Sequence, residues 1–312
     1  LRLVGSEMCI RAGSWSARQS GALWPSALQP GAGIGLFAPA HNFDRGDFER
    51  GVEVLKSWGF EPRIPKGLFQ RKKYLAGDDA HRLSLMDELM ADDQVGALMA
   101  VRGGYGCQRL LPALLDRWRA WPPKAIYGFS DLTALHLARF KAVAAIGFHS
   151  PMIVSLGKME KKNRSDAISQ DDLKKSLEGE RSGGWEFSRR QVLNKGRVQG
   201  RLLGGNLTLV AAMLASPWLP DFRGAILMLE DVDEPTYCLD RLLITLRQSP
   251  IWRQASGLVF GGFAGCGSPA EVSRLLKEAV ADFNGPAVLG ATFSHLSRNR
   301  LFPIGAKAIL DL

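Results

Sequence analysis

One serine stands where a short apolar run gives way to a helical pattern, in Ala125-Ile-Tyr-Gly-Phe-Ser-Asp-Leu-Thr133. A strand that ends in a sharp turn before a helix lifts the turn side chain out of the packed sheet. It also aims the first free helical N–H groups at whatever that side chain attacks. Ser130 is therefore a candidate nucleophile, and its hydroxyl requires a base and a group that orients that base. The competing reading is structural: Ser130 and Asp131 are preferred N-cap residues and cap the helix that opens near Leu132.

The five histidines, at 41, 81, 136, 149 and 295, make the search for a base short. His81 and His136 fall in helical patterns and read as surface or core residues. His41 and His149 each follow a strand. His295 lies in Ala291-Thr-Phe-Ser-His-Leu-Ser-Arg-Asn299, a loop after the apolar run Ala287 to Leu289, where packing gives a histidine little reason to exist. Position alone leaves His295 and His149 as equal candidates.

For the orienting carboxylate, Glu230 is the first polar residue after Ile226-Leu-Met-Leu229. At the mouth of a sheet it can accept an imidazole Nδ1–H and stabilise the imidazolium formed during attack. Asp231, Asp233 and Glu234 compete with it, and a strand-end charge facing water is the plain alternative.

Arg102-Gly-Gly-Tyr-Gly106 also follows a strand, and its glycines allow a turn that points backbone N–H groups into a cavity. A phosphate loop would carry GxxxxGK[ST] or a helix-opening GxGxxG, and neither occurs. An oxyanion hole built from a Gly N–H and the Asp131 N–H is the simpler assignment. Without HExxH or paired His/Cys spacing, no metal and no cofactor are expected.

The elements that must hold these residues alternate, from Gly33 onward, between short apolar runs and helical stretches, the pattern of an α/β chain with a parallel sheet. Strands are expected near Ile34 to Ala38, Phe60 to Ile64, Ala97 to Arg102, Ala125 to Phe129 and Ala145 to Phe148. A second unit has strands near Val198 to Leu203, Ala225 to Glu230, Gly257 to Phe260, Ala287 to Leu289 and Lys307 to Leu310. Its helices are expected at Leu207 to Ala215, Leu239 to Gln248 and Ala270 to Phe283. The candidate residues collect at the carboxyl ends of strands, where open α/β sheets bind ligands. The expected fold is α/β: an N-terminal doubly wound parallel-sheet domain over 31–157, a connection over 158–194 suited to a mobile loop, and a smaller C-terminal α/β domain over 195–312 with a mixed, barrel-like sheet.

Residues 1–30 mix Ser, Gly, Arg and isolated Trp without periodicity. They lack the apolar stretch of roughly 7 to 15 residues that an export signal needs, so a disordered extension is expected there. A chain of 312 residues exceeds what one typical core supports, which agrees with two domains. No apolar run approaches the roughly 20 residues needed to cross a bilayer, so a membrane protein is not expected. The formal charge of +9 is dispersed, and no nucleic-acid recognition motif accompanies it; the charge reads as solubility and mild attraction for anionic substrates. The four scattered cysteines fit a reducing cytoplasm.

Taken together, Val101-Arg-Gly-Gly-Tyr-Gly106 with Arg109-Leu-Leu111, Gly128-Phe-Ser-Asp-Leu-Thr133, His149-Ser-Pro-Met152, Leu203-Gly-Gly-Asn-Leu207, Leu229-Glu-Asp-Val-Asp-Glu234 and Phe302-Pro-Ile-Gly305 resemble the LD-carboxypeptidase family of serine peptidases. That family includes muramoyl-tetrapeptide carboxypeptidases and microcin C immunity peptidases. The resemblance runs in order from Gly33 to Leu312. It implies a Ser130-Glu230-His295 triad drawn from both domains, an oxyanion hole at the backbone of Gly104 (or Gly103) and Asp131, and a cytoplasmic homodimer acting on murein tetrapeptide. Arg102 is then the candidate anchor for a substrate carboxylate, with pairing at the sheet edge as the alternative. In the immunity branch, whose substrates are acyl-sulfamoyl or aminoacyl nucleotides, an aromatic is expected to stack on the base; Trp185 is the candidate, a core tryptophan at the start of the second domain being the alternative. A third reading from another class is a non-catalytic α/β module that binds small anions at Gly103 and Gly104. The chain departs from the family at Ser294, where a glycine usually precedes the loop histidine. It also ends at Leu312, before the further strand or hairpin of some relatives.

Overall fold

A computed structural model of the chain describes residues 8–12, 21–160, 163–180, 184–296 and 298–312. Two sheets organise it. The first has six strands: β2 (Gly33–Phe37), β3 (Glu61–Arg63), β4 (Val95–Ala100), β5 (Ala125–Tyr127), β6 (Gly147–His149) and β13 (Phe302–Ile304). Their order is β13-β6-β5-β4-β2-β3. The five N-terminal strands are parallel, and only β13 runs antiparallel, on the β6 edge.

Side-chain alternation in these strands divides two buried faces. Ile34, Leu36, Ala97, Met99 and Tyr127 pack on one side with Phe48, Val52, Leu55 and Ile153. Phe37, Leu98, Ala100 and Ile126 pack on the other with Met86, Leu110, Leu114 and Leu135. Each of the large aliphatic side chains removed from water contributes roughly 1.5–3 kcal/mol. Helices on both faces make the expected doubly wound domain. Beginning with β2, the strand order reverses between β2 and β4, so the crevice of the sheet opens at their carboxyl ends.

The second sheet has eight strands in the order β7-β1-β14-β9-β10-β11-β12-β8. Here β1 is Met8–Ala12, β7 Trp185–Phe187, β8 Val192–Asn194, β9 Arg197–Asn206, β10 Ile226–Val232, β11 Gly257–Ala264, β12 Ala287–Val288 and β14 Lys307–Asp311. Strands β9 to β12 are parallel, and the flanking strands are antiparallel. This mixed sheet curls into a half-barrel, in agreement with the expected fold.

Three boundaries differ from expectation. Part of the supposed disordered extension is structured: Met8–Ala12 lies between β14 and β7, and Leu23 bridges to Ala145. Residues 1–7 and 13–20 lie outside the described residues. The connection 158–194, which also holds the helix Arg164–Leu177, contributes β7 and β8 to the second sheet. The C-terminal segment returns to the first sheet as β13, so the two lobes exchange chain. Among the described residues no helix is long and apolar enough to cross a membrane.

Candidate active site

Strand β5 ends at Tyr127, Gly128 follows at φ +153°, and Ser130 sits at φ +63°. A non-glycine residue in the left-handed region marks a tight elbow rather than a relaxed helix start. The capping reading does not describe these side chains. Asp131 is the N-cap of helix Leu132–Val143 but makes no side-chain cap bond. Its carboxylate instead accepts the Cys107 N–H at 2.8 Å, at the start of helix Cys107–Ala120. Burial pushes the Asp131 carboxyl up, and the Cys107 N–H opposes that shift. Two helix N-termini therefore converge behind Ser130, where their dipoles favour developing negative charge.

His136, one of the two histidines expected on helices, holds this elbow from within. Its Nε2–H donates to the Gly128 carbonyl at 2.9 Å, and burial pushes its pKa down to about 3, so the ring is neutral. Gly147 makes room for it, since a Cβ there would lie 2.2 Å from His136 Nδ1.

The glycine loop closes on the serine. A Cβ at Gly103 would stand 3.2 Å from Ser130 Oγ and 3.4 Å from the Asp131 nitrogen. Gly104, at φ +109°, lies instead against His41. Among the described residues the N–H groups of Gly103, Gly104 and Asp131 donate to no backbone carbonyl. The loop is braced underneath by buried Arg82, which donates to the carbonyls of Pro39 and Gly106. Asp79 ties Arg82 to Arg109.

From the other lobe comes Glu230. The register of β10 against β11 slips between Leu229 and Asp231, a local irregularity that re-aims the residue between them. Glu230 is fully buried, and its Oε2 accepts from His295 Nδ1 at 2.9 Å. The second oxygen, Oε1, lies 3.9 Å from His149 Nε2. Burial by itself would raise the Glu230 carboxyl; the imidazoles of His149 and His295 outweigh it and hold the carboxyl below its ordinary value.

The competing carboxylates are committed elsewhere. Asp231 accepts from Asn206 Nδ2 at 2.7 Å, from the Thr208 N–H and hydroxyl at 2.9 Å each, and from the Val232 N–H at 2.9 Å. Glu234 accepts from the Thr208 hydroxyl, and Asp233 occupies a turn at φ +57°. Of these four carboxylates, Glu230 is the one that reaches a histidine.

Position also separates the two candidate bases. His149 is wholly buried, whereas the His295 side chain is 19% exposed. The His295 ring lies 4.6 Å from the ring of Phe129, the residue before Ser130. The Ser130 hydroxyl is not hydrogen-bonded to the imidazole, a common state of such pairs without substrate. Ser294 fits its loop: its hydroxyl accepts the Leu296 N–H at 3.0 Å, and its own N–H donates to Asn299 Oδ1. Of the other histidines, His81 bonds the Gly67 carbonyl, and His41 stacks on Tyr74.

Arg102 is exposed beside the glycine loop, its guanidinium 3.4 Å from the Asn42 carbonyl. Trp185 lies in β7, 7% exposed, its indole donating to Thr292 and its ring packed near Phe293 and Phe302. It also lines a cavity with Tyr127, Phe148 and Pro303. Thr133 and Asn206 carry no chemistry in the sequence reading, yet they join the lobes: the Asn206 N–H donates to Thr133 Oγ1 at 3.0 Å. The signal for that junction was Gly205, where a Cβ would lie 2.4 Å from the Thr133 hydroxyl.

Residues 34–150 match the LD-carboxypeptidase N-terminal domain and residues 199–310 its C-terminal domain. The chain belongs to the LD-carboxypeptidase family. Among relatives in that family, a putative carboxypeptidase of Synechocystis is 32% identical over 304 residues, covering 93% of this chain and 94% of the relative. The murein tetrapeptide carboxypeptidase of Pseudomonas aeruginosa is 30% identical over 294 residues, covering 89% and 92%. Among solved structures, the microcin immunity protein MccF in complex with glutamyl sulfamoyl guanosine superposes with a TM-score of 0.81 at 25% identity, over 92% of this chain and 95% of that one. Membership makes the chain a peptidase of LD-carboxypeptidase type. Both matched domains contribute to the cluster: Ser130 and His149 fall in the first, Glu230 and His295 in the second.

Proposed function

We propose that the protein is a serine carboxypeptidase that removes the terminal D-alanine of murein tetrapeptide by cutting the bond between an L-diamino acid and D-Ala. Ser130 Oγ attacks the scissile carbonyl and passes its proton to His295 Nε2. Glu230 holds the imidazole through Nδ1 and stabilises the imidazolium. The N–H groups of Gly104 and Asp131, with Gly103 beside them, receive the oxyanion. His295 then protonates the departing D-Ala amine, and a water molecule, activated by the same imidazole, releases the acyl peptide from Ser130. Arg102 receives the free carboxylate of the substrate.

The observation that carries this reading is the 2.9 Å bond between Glu230 and His295, set against the elbow that presents Ser130. The named activity of the Pseudomonas relative supports the substrate. A cytoplasmic location and a homodimer belong to the same proposal. The test is incubation with murein tripeptide, tetrapeptide and pentapeptide, with the products weighed. Release of D-Ala from the tetrapeptide by the parent protein, and its loss in Ser130→Ala, is the expected result; release at the parent rate by Ser130→Ala overturns the assignment.

A second reading, hydrolysis of acyl-sulfamoyl nucleotides, is favoured by the likeness to MccF. Trp185, the residue expected to stack on the base, is largely buried yet lines a cavity. Strong competition by nucleotide analogues against tetrapeptide turnover would favour this second reading.

A further inference from the structure

His149 is fully buried at the end of β6, and among the described residues neither ring nitrogen has a hydrogen-bond partner. Three aromatic rings enclose it: Phe302 stacks at 4.7 Å between centroids, with Phe129 at 5.4 Å and Phe293 edge-on at 5.6 Å. An imidazole in such a cage loses hydration without compensation, a cost that a phenylalanine would avoid. The carboxylate oxygen nearest its Nε2 is equally unusual. Glu230 Oε1, 3.9 Å from His149 Nε2, is itself buried and without a hydrogen bond.

We propose that His149 is a positioning residue for the Glu230–His295 pair: a neutral imidazole that aims its Nε2–H at Glu230 Oε1 and fixes the carboxylate so that Oε2 faces His295 Nδ1. The inference rests on the relay read above. The tautomer follows from the geometry, because an unprotonated Nε2 would set its lone pair against the carboxylate oxygen. At 3.9 Å the contact is longer than a hydrogen bond. Both groups are fully buried, and a dipole facing a charge is weakly screened in such surroundings. Burial lowers the His149 pKa despite Glu230, which agrees with a neutral ring. The titratable groups facing it are Glu230 from β10, His295 from the loop after β12, and His136 from the helix behind Ser130. Of these three, Glu230 is the carboxylate, and its Oε1 is the acceptor that faces the ring.

The role has a direction. The N–H dipole favours the carboxylate anion, so its removal lets the Glu230–His295 pair take up a proton more readily, and activity is lost at a higher pH on acidification. The experiment compares His149→Phe, which keeps the aromatic stack, with His149→Gln, which keeps an N–H donor. Two readouts are followed against pH: D-Ala release from tetrapeptide, and the rate at which a fluorophosphonate probe labels Ser130. His149→Phe is expected to melt near the parent temperature, to lose about tenfold in both rates, and to shift the acidic limb up by about half to one pH unit. His149→Gln is expected to recover most of both effects. An unshifted limb in His149→Phe, or equal losses in the two variants, would overturn the proposal in favour of packing alone. If the parent protein is labelled at Ser130 but releases no D-Ala, the substrate reading falls while the labelling profiles still decide the role of His149. A parent protein not labelled at Ser130 overturns both.

Discussion

Glu230 and His295, sixty-five positions apart in the chain, meet with Oε2 and Nδ1 2.9 Å from each other, the carboxylate fully buried and the imidazole partly exposed. That asymmetry is what a proton relay requires, because the orienting group must be dry while the base must meet substrate.

Glu230→Gln keeps the shape of the buried side chain and removes its charge. The amide no longer holds the imidazole in the tautomer with Nδ1 protonated or stabilises the imidazolium. A fall in kcat of about 10³ to 10⁴ is expected, with little change in KM, measured as D-Ala release from tetrapeptide.

Gly103 tests the closeness of the glycine loop to the nucleophile. Its φ is not positive, so alanine suits the backbone, but the added methyl would press on Ser130 Cβ at 3.0 Å and Oγ at 3.2 Å. Gly103→Ala should therefore cost at least about tenfold in kcat/KM while changing stability by less than about 1 kcal/mol. Urea unfolding alongside the assay separates the two effects.

His136 makes stability depend on pH. Its unfolded imidazole takes a proton near 6.5 and its folded one only at about 3, so between those values the unfolded state holds the extra proton. Stability therefore falls as pH falls through that window, by up to about 1.4 kcal/mol per pH unit from this group. His136→Gln, which retains a donor for the Gly128 carbonyl, should flatten the dependence of unfolding free energy on pH between 6.5 and 3.

Asp231 predicts a loss of a different kind. Its carboxylate satisfies Asn206, Thr208 and Val232 where β9 passes into helix Leu207–Ala212. Asp231→Ala strands those donors in a buried place and should destabilise the protein by about 3 kcal/mol, read as a lower Tm. Unlike Glu230→Gln, it should leave a folded fraction that still labels at Ser130.

The local signals carried much of the architecture. Alternating apolar runs announced the parallel strands because both faces of such a strand are buried, and the Gly128 to Asp131 elbow was legible because only that turn chemistry joins the strand to the helix. Short strands paired with distant partners were not legible: Met8–Ala12, Trp185–Phe187, Val192–Asn194 and Phe302–Ile304 have three to five residues and owe their conformation to the sheets they join.

By itself, then, the order of residues determined which side chains stand at strand ends, since periodicity and turn chemistry act over a few neighbours. Tertiary structure alone decided that Glu230 rather than Asp231 faces a histidine, that His295 is partly exposed while His149 is enclosed by aromatic rings, and that Trp185 is largely buried. Those choices depend on a register slip in β10 and on the docking of two lobes across Thr133 and Asn206. The free energy that sets them is summed over packing between segments far apart in the chain, and no local window contains it.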